Sequence, residues 1–260
     1  MLAFFALTLL LTIPFWVLDA LAQVQLMPGI TLAALAVVCP AVAALILSYR
    51  TAGRAGAVAL LKRAFDLRRI RSKRWWAVIL LLSPAITVAA FVALRLGGSP
   101  VPDPHIGLLT VVGLSLVFLV AAQAEELGWS GFATERLQTR WGALGAALAI
   151  GVVWALWHYP ALLMADRSAA WIGWWTLGTV ATRVIMVWLF NNTGRSVFGA
   201  AVFHAMSNLA WQVFPVRGSY FDQRLDGLIL AGVALAVILL WGPSTLSSWG
   251  WRARSVREAG

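Results

Sequence analysis

GLLTVVGLSLVFLVAAQAEELGW, residues 107–129, is apolar for most of its length and then carries two adjacent carboxylates, Glu125 and Glu126. About 20 apolar residues in a helix are enough to cross a hydrocarbon core. A carboxylate near the end of such a run is costly in lipid, so it marks either a headgroup boundary or a functional site. Working outward, the same texture recurs along the chain. Of 260 residues, 61% are hydrophobic and 12% charged, and the mean hydropathy is +0.84. A soluble domain typically carries about 25% charged residues. The apolar residues fall in long runs, not in the short alternating strands of a membrane barrel. The fold class expected is all-α, a polytopic transmembrane helical bundle forming one structural domain.

Eight spans are expected, at about 2–21, 30–49, 75–96, 107–129, 142–163, 171–190, 197–214 and 227–242. Three regions follow. Residues 1–104 hold the N-terminal spans, 105–210 the polar core, and 211–260 the last span and a basic tail. Charge sets the orientation. The net charge is +10, and nine Lys and Arg residues lie between Arg50 and Arg74. This stretch reads as a cytoplasmic loop facing anionic lipid, not as a nucleic-acid surface. The loops at 130–141 and 191–196 and the tail then lie inside, with Arg136, Arg140, Arg195, Arg252, Arg254 and Arg257. The loops at 97–106, 164–170 and 215–226 lie outside, with Arg167, Arg217 and Arg224. The bias is fifteen to three and places both termini in the cytoplasm. Tryptophans at span ends, such as Trp75, Trp76, Trp141, Trp171 and Trp241, suit interfacial anchoring. Ala20-Leu21-Ala22 also resembles a signal-peptidase site, but no Lys or Arg precedes the apolar stretch. Compactness and short loops point to a prokaryotic plasma membrane. The single cysteine, Cys39, excludes an internal disulfide and a cysteine metal site.

Most acidic residues fall in loops or the tail, and Asp19 lies near the end of the first span; Glu125 and Glu126 are the exceptions, within an apolar run. Helical neighbours differ by about 100° in direction, so one carboxylate can face a cavity while the other takes a supporting hydrogen bond. Two of the three histidines are intramembrane: His158 in VVWALWHYPALL and His204 in AAVFHAMSNLAW. Asn208 follows His204 by four positions, so the two share a helical face. Each alone is commonly a satisfied core residue; together they suggest a site. His105 precedes a span in an outside loop and reads as incidental. Cleaving a peptide in lipid needs water, a base and donors for the developing oxyanion. A carboxylate partly withdrawn from water is a better base near neutral pH. An imidazole can share its proton. A second imidazole and an amide N–H can hold the oxyanion.

EELGWS, WALWH and HAMSN, in that order and on separate spans, resemble the CPBP family. These are intramembrane peptidases related to type II CAAX prenyl proteases and bacterial Abi proteins. GFATERLQTRWG and NNTGRSVFGAAVFHA resemble family text too, and the likeness covers roughly residues 105–210. It implies that Glu125 and His158 activate water, that His204 and Asn208 form the oxyanion site, and that Glu126 orients it. Trp154 opens the WALWH motif and is taken as a supporting residue. The implied substrate is a peptide or lipidated protein held in membrane lipid. No cofactor and no nucleic acid is implied, and no oligomeric state is read from the motifs. Ser130 departs from the pattern, which has Arg four residues after the second Glu. That substitution admits a catalytically altered member acting as a scaffold or bacteriocin-immunity factor. Arg183, in GTVATRVIMVW, either snorkels to an interface or supplies the missing counter-charge beside Glu126.

Two other enzyme classes share parts of these motifs. Gly128-Trp129-Ser130-Gly131 and HAMSN match short elements of rhomboid serine peptidases, but in the reverse order. Two histidines and a glutamate could bind zinc with a water, although HExxH is absent. Depth raises one difficulty. His158 lies about 16 residues into its expected span, roughly 24 Å at 1.5 Å per residue. Glu125 lies near the cytoplasmic end of its own, so a tilted helix or a shifted boundary is needed.

Overall fold

Each interruption of an apolar run is a place where the chain turns. In the computed structural model, which describes residues 1–216 and 222–247, eight long helices follow one another. They are α1 (Leu2–Ala22), α2 (Cys39–Lys62), α3 (Lys73–Leu96), α4 (Leu108–Gly128), α5 (Glu135–Met164), α6 (Ala169–Asn192), α7 (Val197–Val213) and α8 (Gln223–Trp241). A two-stranded hairpin (β1, Gln25–Met27; β2, Ile30–Thr31) and a 3-10 segment, Leu32–Val38, join α1 to α2. The protein is an all-α helical bundle. Six stretches among the described residues are long and apolar enough to cross a membrane, by length and composition; one of them runs from Leu108 to Met164. Arg217 and the tail residues Arg252, Arg254, Arg257 and Glu258 lie outside the described residues.

Side chains cap the turns. Ser168 accepts from Trp171 N (3.2 Å), Ser196 from Gly199 N (3.0 Å) and Asp222 from Arg224 N (2.8 Å). Each satisfies a donor that a helix start leaves open. Asp66 adds a second cap to α7: Ser196 Oγ, Val197 N and Phe198 N all donate to its carboxylate.

Two expected loops prove to be structured. The basic stretch at 50–74 is helical as far as Lys62, kinked at Ala52 and Gly53, and then makes two 3-10 turns, Arg63–Phe65 and Leu67–Arg69. Arg63 straps it to the bundle, donating to Gly131 O (2.9 Å), Glu135 Oε1 (3.0 Å) and Arg195 O (2.8 Å). The expected loop at 130–141 is a π-helical turn, Trp129–Thr134, followed by the first turns of α5. All six residues of the turn are buried. Its polarity misled the sequence reading: Ser130 and Thr134 bond inward, to Glu126 and to Trp129 O (2.8 Å). The axis then breaks at Gly142 (φ 69°, ψ 178°), a conformation that glycine adopts without strain. The spanning part of α5 therefore starts at Ala143.

The core lies around α5, α6, α7 and the π turn. Trp129 is fully buried against Phe4 of α1 (5.4 Å between ring centroids) and Trp157 (6.0 Å). Small residues let backbones close in, as is usual where lipid supplies no hydrophobic drive between helices. The tightest case is Gly128, where a Cβ would lie 2.5 Å from Pro40 O of α2. This contact fixes the end of α4 that carries the two glutamates.

Candidate active site

The adjacent glutamates diverge as helical geometry requires. Glu125 lines a cavity of about 410 Å³, whereas Glu126 is sealed behind it with no exposure. Trp154 Nε1 of α5 donates to Glu125 Oε2 at 2.8 Å. The other carboxylate oxygen takes no protein hydrogen bond among the described residues.

Glu126 sits in a ring of donors. Arg183 of α6 grips it through both terminal nitrogens, Nη1 to Oε2 (2.8 Å) and Nη2 to Oε1 (3.1 Å). The Ser130 hydroxyl donates to Oε2. His204 Nδ1 lies 3.2 Å from Oε1 and donates to it. Arg183 is fully buried, so it does not snorkel to an interface. Its guanidinium also lies over the Trp154 ring, 4.3 Å from the centroid, where an aromatic face attracts a cation. A buried charge persists only when paired and hydrogen-bonded, and both conditions are met here.

His158 lines the same cavity. Its Nδ1 is 2.7 Å from the Trp154 carbonyl, which can only accept, so Nδ1 carries the proton. In the neutral ring Nε2 is then a lone-pair acceptor. His158 is boxed by Trp154, Trp157 and Trp175 at 5.5, 4.8 and 5.3 Å between centroids. Trp154 also packs edge-on against His204 at 5.2 Å. One indole thus touches Glu125, His158, His204 and Arg183. Asn208, one turn beyond His204 on α7, lines the cavity as well.

The four expected residues therefore come to one cavity from three helices, α4, α5 and α7. The depth difficulty has a structural answer. The buried π turn extends the α4 rod beyond Gly128, so Glu125 is not at a helix end in headgroup water. About nine further helical residues separate it from Thr134, on the order of 13 Å at 1.5 Å each. His158 and Glu125 line the same cavity within the bundle.

The sequence reading missed the supports. Thr12 of α1 accepts from Trp157 Nε1 at 2.7 Å and so fixes one wall of the His158 box. Thr8 and Thr12, four apart in an apolar run, were the available signal; both are buried. Ser130 does not line the cavity, and its hydroxyl is committed to Glu126. Among the described residues no three His, Cys, Asp or Glu side chains converge to hold a metal ion.

Residues 107–210 match the model of a family described as type II CAAX prenyl endopeptidase Rce1-like. A CAAX prenyl protease 2 from Methanococcus maripaludis is 27% identical over 191 residues, which make up 69% of this chain and 70% of that protein. Over these residues the chain is similar to the CPBP family. That similarity, together with six stretches long and apolar enough to cross a membrane among the described residues, supports an integral membrane protein resembling CAAX-type proteases. Measured against the family pattern, the cavity belongs to residues of all three motifs, while α1, the hairpin and the 3-10 segment complete walls that the matched region lacks.

Proposed function

We propose that this protein is an intramembrane endopeptidase that hydrolyses a peptide bond with water activated by Glu125 and His158. The observation that carries the reading is the sharing of one cavity by Glu125, His158, His204 and Asn208, with Trp154 in contact with the first three. Glu125 takes a proton from water as the oxygen attacks the scissile carbonyl carbon. His158, with Nε2 bare, helps hold that water and can share its proton. The carbonyl oxygen gains negative charge and accepts from Asn208 Nδ2–H. His204 donates from Nε2 when the ring is an imidazolium, since its Nδ1 is engaged by Glu126. Collapse of the intermediate breaks the C–N bond, and the proton passes to the leaving nitrogen. Donors aimed at a developing oxyanion in a water-poor site typically contribute about 2.7–4 kcal/mol each.

Arg183 supplies the cation that the motif pattern would draw from position 130. It neutralises Glu126, which then orients His204. The names of the relatives, and a cavity walled mainly by apolar side chains, favour a substrate whose peptide carries a prenyl group or another apolar anchor. The test is a comparison of membrane peptides in cells holding the parent protein and Glu125→Gln at equal amounts. New C-termini in the parent alone support the reading; identical peptides in both strains overturn it. Ser130→Ala should leave cleavage largely intact, whereas its abolition would favour a serine mechanism. Unchanged cleavage by Arg183→Ala at matched expression would remove that residue from the scheme.

A further inference from the structure

α2 changes direction at Ala52 and Gly53, and the chain beyond the kink runs across the bundle instead of along it. Leu60 meets the π turn, where a Cβ on Gly131 would lie 3.1 Å from its Cδ1. Arg63 reaches Gly131 O, Glu135 of α5 and Arg195 O in the α6–α7 link. Asp66 caps α7, and Arg69 Nη1 donates to Gly194 O at 3.1 Å. Gln123 of α4 donates to Ala64 O. Gln123 shares a helical stripe with Leu116 and Val120, which are 64% and 72% exposed. The segment therefore passes over the lipid-facing side of α4, at the level where that side turns from apolar to polar.

Its two faces differ. Leu60 and Ala64 are buried on the inner side. Val58, Leu61 and Phe65, spaced three and four apart, point outward, and Phe65 is 77% exposed. The acids beside the segment, Asp66 and Glu135, are engaged by Arg63 and Arg69. Arg54, Lys62, Arg68 and Arg71 are exposed and have no ion pair among the described residues. Outward apolar side chains interleaved with unpaired cations suit a segment lying in a membrane interface. There the apolar groups enter the acyl boundary, and long cationic side chains reach the anionic headgroups. α3 begins just beyond with Lys73, Arg74, Trp75 and Trp76, residue types that favour the same level.

We propose that residues 54–71 form an in-plane strap that docks on the headgroups of anionic phospholipids, with Val58, Leu61 and Phe65 on the acyl side and Arg54, Lys62, Arg68 and Arg71 among the phosphates. Docking steadies the catalytic cavity from behind. Arg63 holds Gly131, the residue after Ser130, whose hydroxyl holds Glu126. Asp66 caps the helix that carries His204 and Asn208. This coupling rests on the peptidase reading; the lipid preference stands apart from it.

Native mass spectrometry of the full-length protein tests the docking. The protein is delipidated in detergent and titrated with phosphatidylglycerol or with phosphatidylcholine of the same acyl chains. The parent should retain phosphatidylglycerol in preference. Each cation near an anionic surface strengthens binding by about fivefold. Arg54→Gln, Lys62→Gln, Arg68→Gln and Arg71→Gln combined should therefore weaken phosphatidylglycerol binding by at least about tenfold, with the melting temperature unchanged. Arg54→Lys, Arg68→Lys and Arg71→Lys combined should keep the preference. Equal retention of both lipids by the parent, or undiminished phosphatidylglycerol binding by the Gln variant, would overturn the proposal. Loss of a dimer in Phe65→Ser with the lipid preference intact would overturn it in favour of a second copy of the chain. In liposomes the parent should cleave faster in an equimolar mixture of the two lipids than in phosphatidylcholine alone, and the Gln variant equally in both. Parent cleavage indifferent to the lipid would overturn the coupling to the cavity. Glu125→Gln should abolish cleavage and leave lipid binding as in the parent. Loss of the peptidase reading is therefore distinguishable from loss of this one.

Discussion

Replacing Arg183 by Met keeps much of its volume and removes its charge. In the parent, Arg183 and Glu126 are both fully buried and joined by two hydrogen bonds of 2.8 and 3.1 Å. Removing one partner of a buried pair typically costs about 3–5 kcal/mol, because the other charge is left uncompensated. Glu126 would keep the Ser130 hydroxyl and His204, which argues for the lower end, about 3 kcal/mol. The folding equilibrium would shift by on the order of a hundredfold, at about 1.4 kcal/mol per factor of ten. Reversible unfolding in mixed micelles measures it, and a second variant isolates the cause. Arg183→Met with Glu126→Gln removes both charges and should recover at least about 1 kcal/mol over Arg183→Met alone. The reasoning is refuted if Arg183→Met is as stable as the parent to within about 0.5 kcal/mol, or if the double variant is no better than the single one.

Three further outcomes follow from the same geometry. In an Arg183→Ser background, Ser130→Arg should restore part of the lost stability and cleavage, since position 130 already touches Glu126; melting and cleavage assays read it, and no recovery would show that the cation must come from α6. Trp154→Phe keeps a ring but removes the donor to Glu125, so the turnover rate should fall more than affinity for the substrate, as steady-state kinetics would reveal. Gly128→Val puts side-chain atoms where a Cβ alone lies 2.5 Å from Pro40 O, so overpacking of about 1–3 kcal/mol should lower the melting temperature.

Much of the bundle was legible because lipid makes hydropathy almost sufficient. Most expected spans overlie long helices, although the second, 30–49, begins in the hairpin and the 3-10 segment and α2 starts only at Cys39; the Glu pair, WALWH and HAMSN sit on the helices assigned to them. What was illegible depended on tertiary partners. GWSGFAT reads as a polar turn, yet its hydroxyls bond inward and the whole segment is buried. Arg54 to Lys62 reads as loop from its charge, although the helix continues through it. At the site, periodicity could separate the faces of Glu125 and Glu126. It could not find Thr12, whose partner Trp157 lies 145 residues away, or the strap from Arg63 to Gly131 and Arg195. Such contacts leave no local pattern.

The most direct measurement is cleavage of a membrane-anchored peptide by the purified protein in liposomes, with Glu125→Gln as the single change. A general base contributes about 10²–10⁴-fold to rate, so the account predicts a loss of that order in the variant with its fold and substrate binding retained. A Glu125→Gln protein that cleaves at the parent rate would contradict the account at its centre.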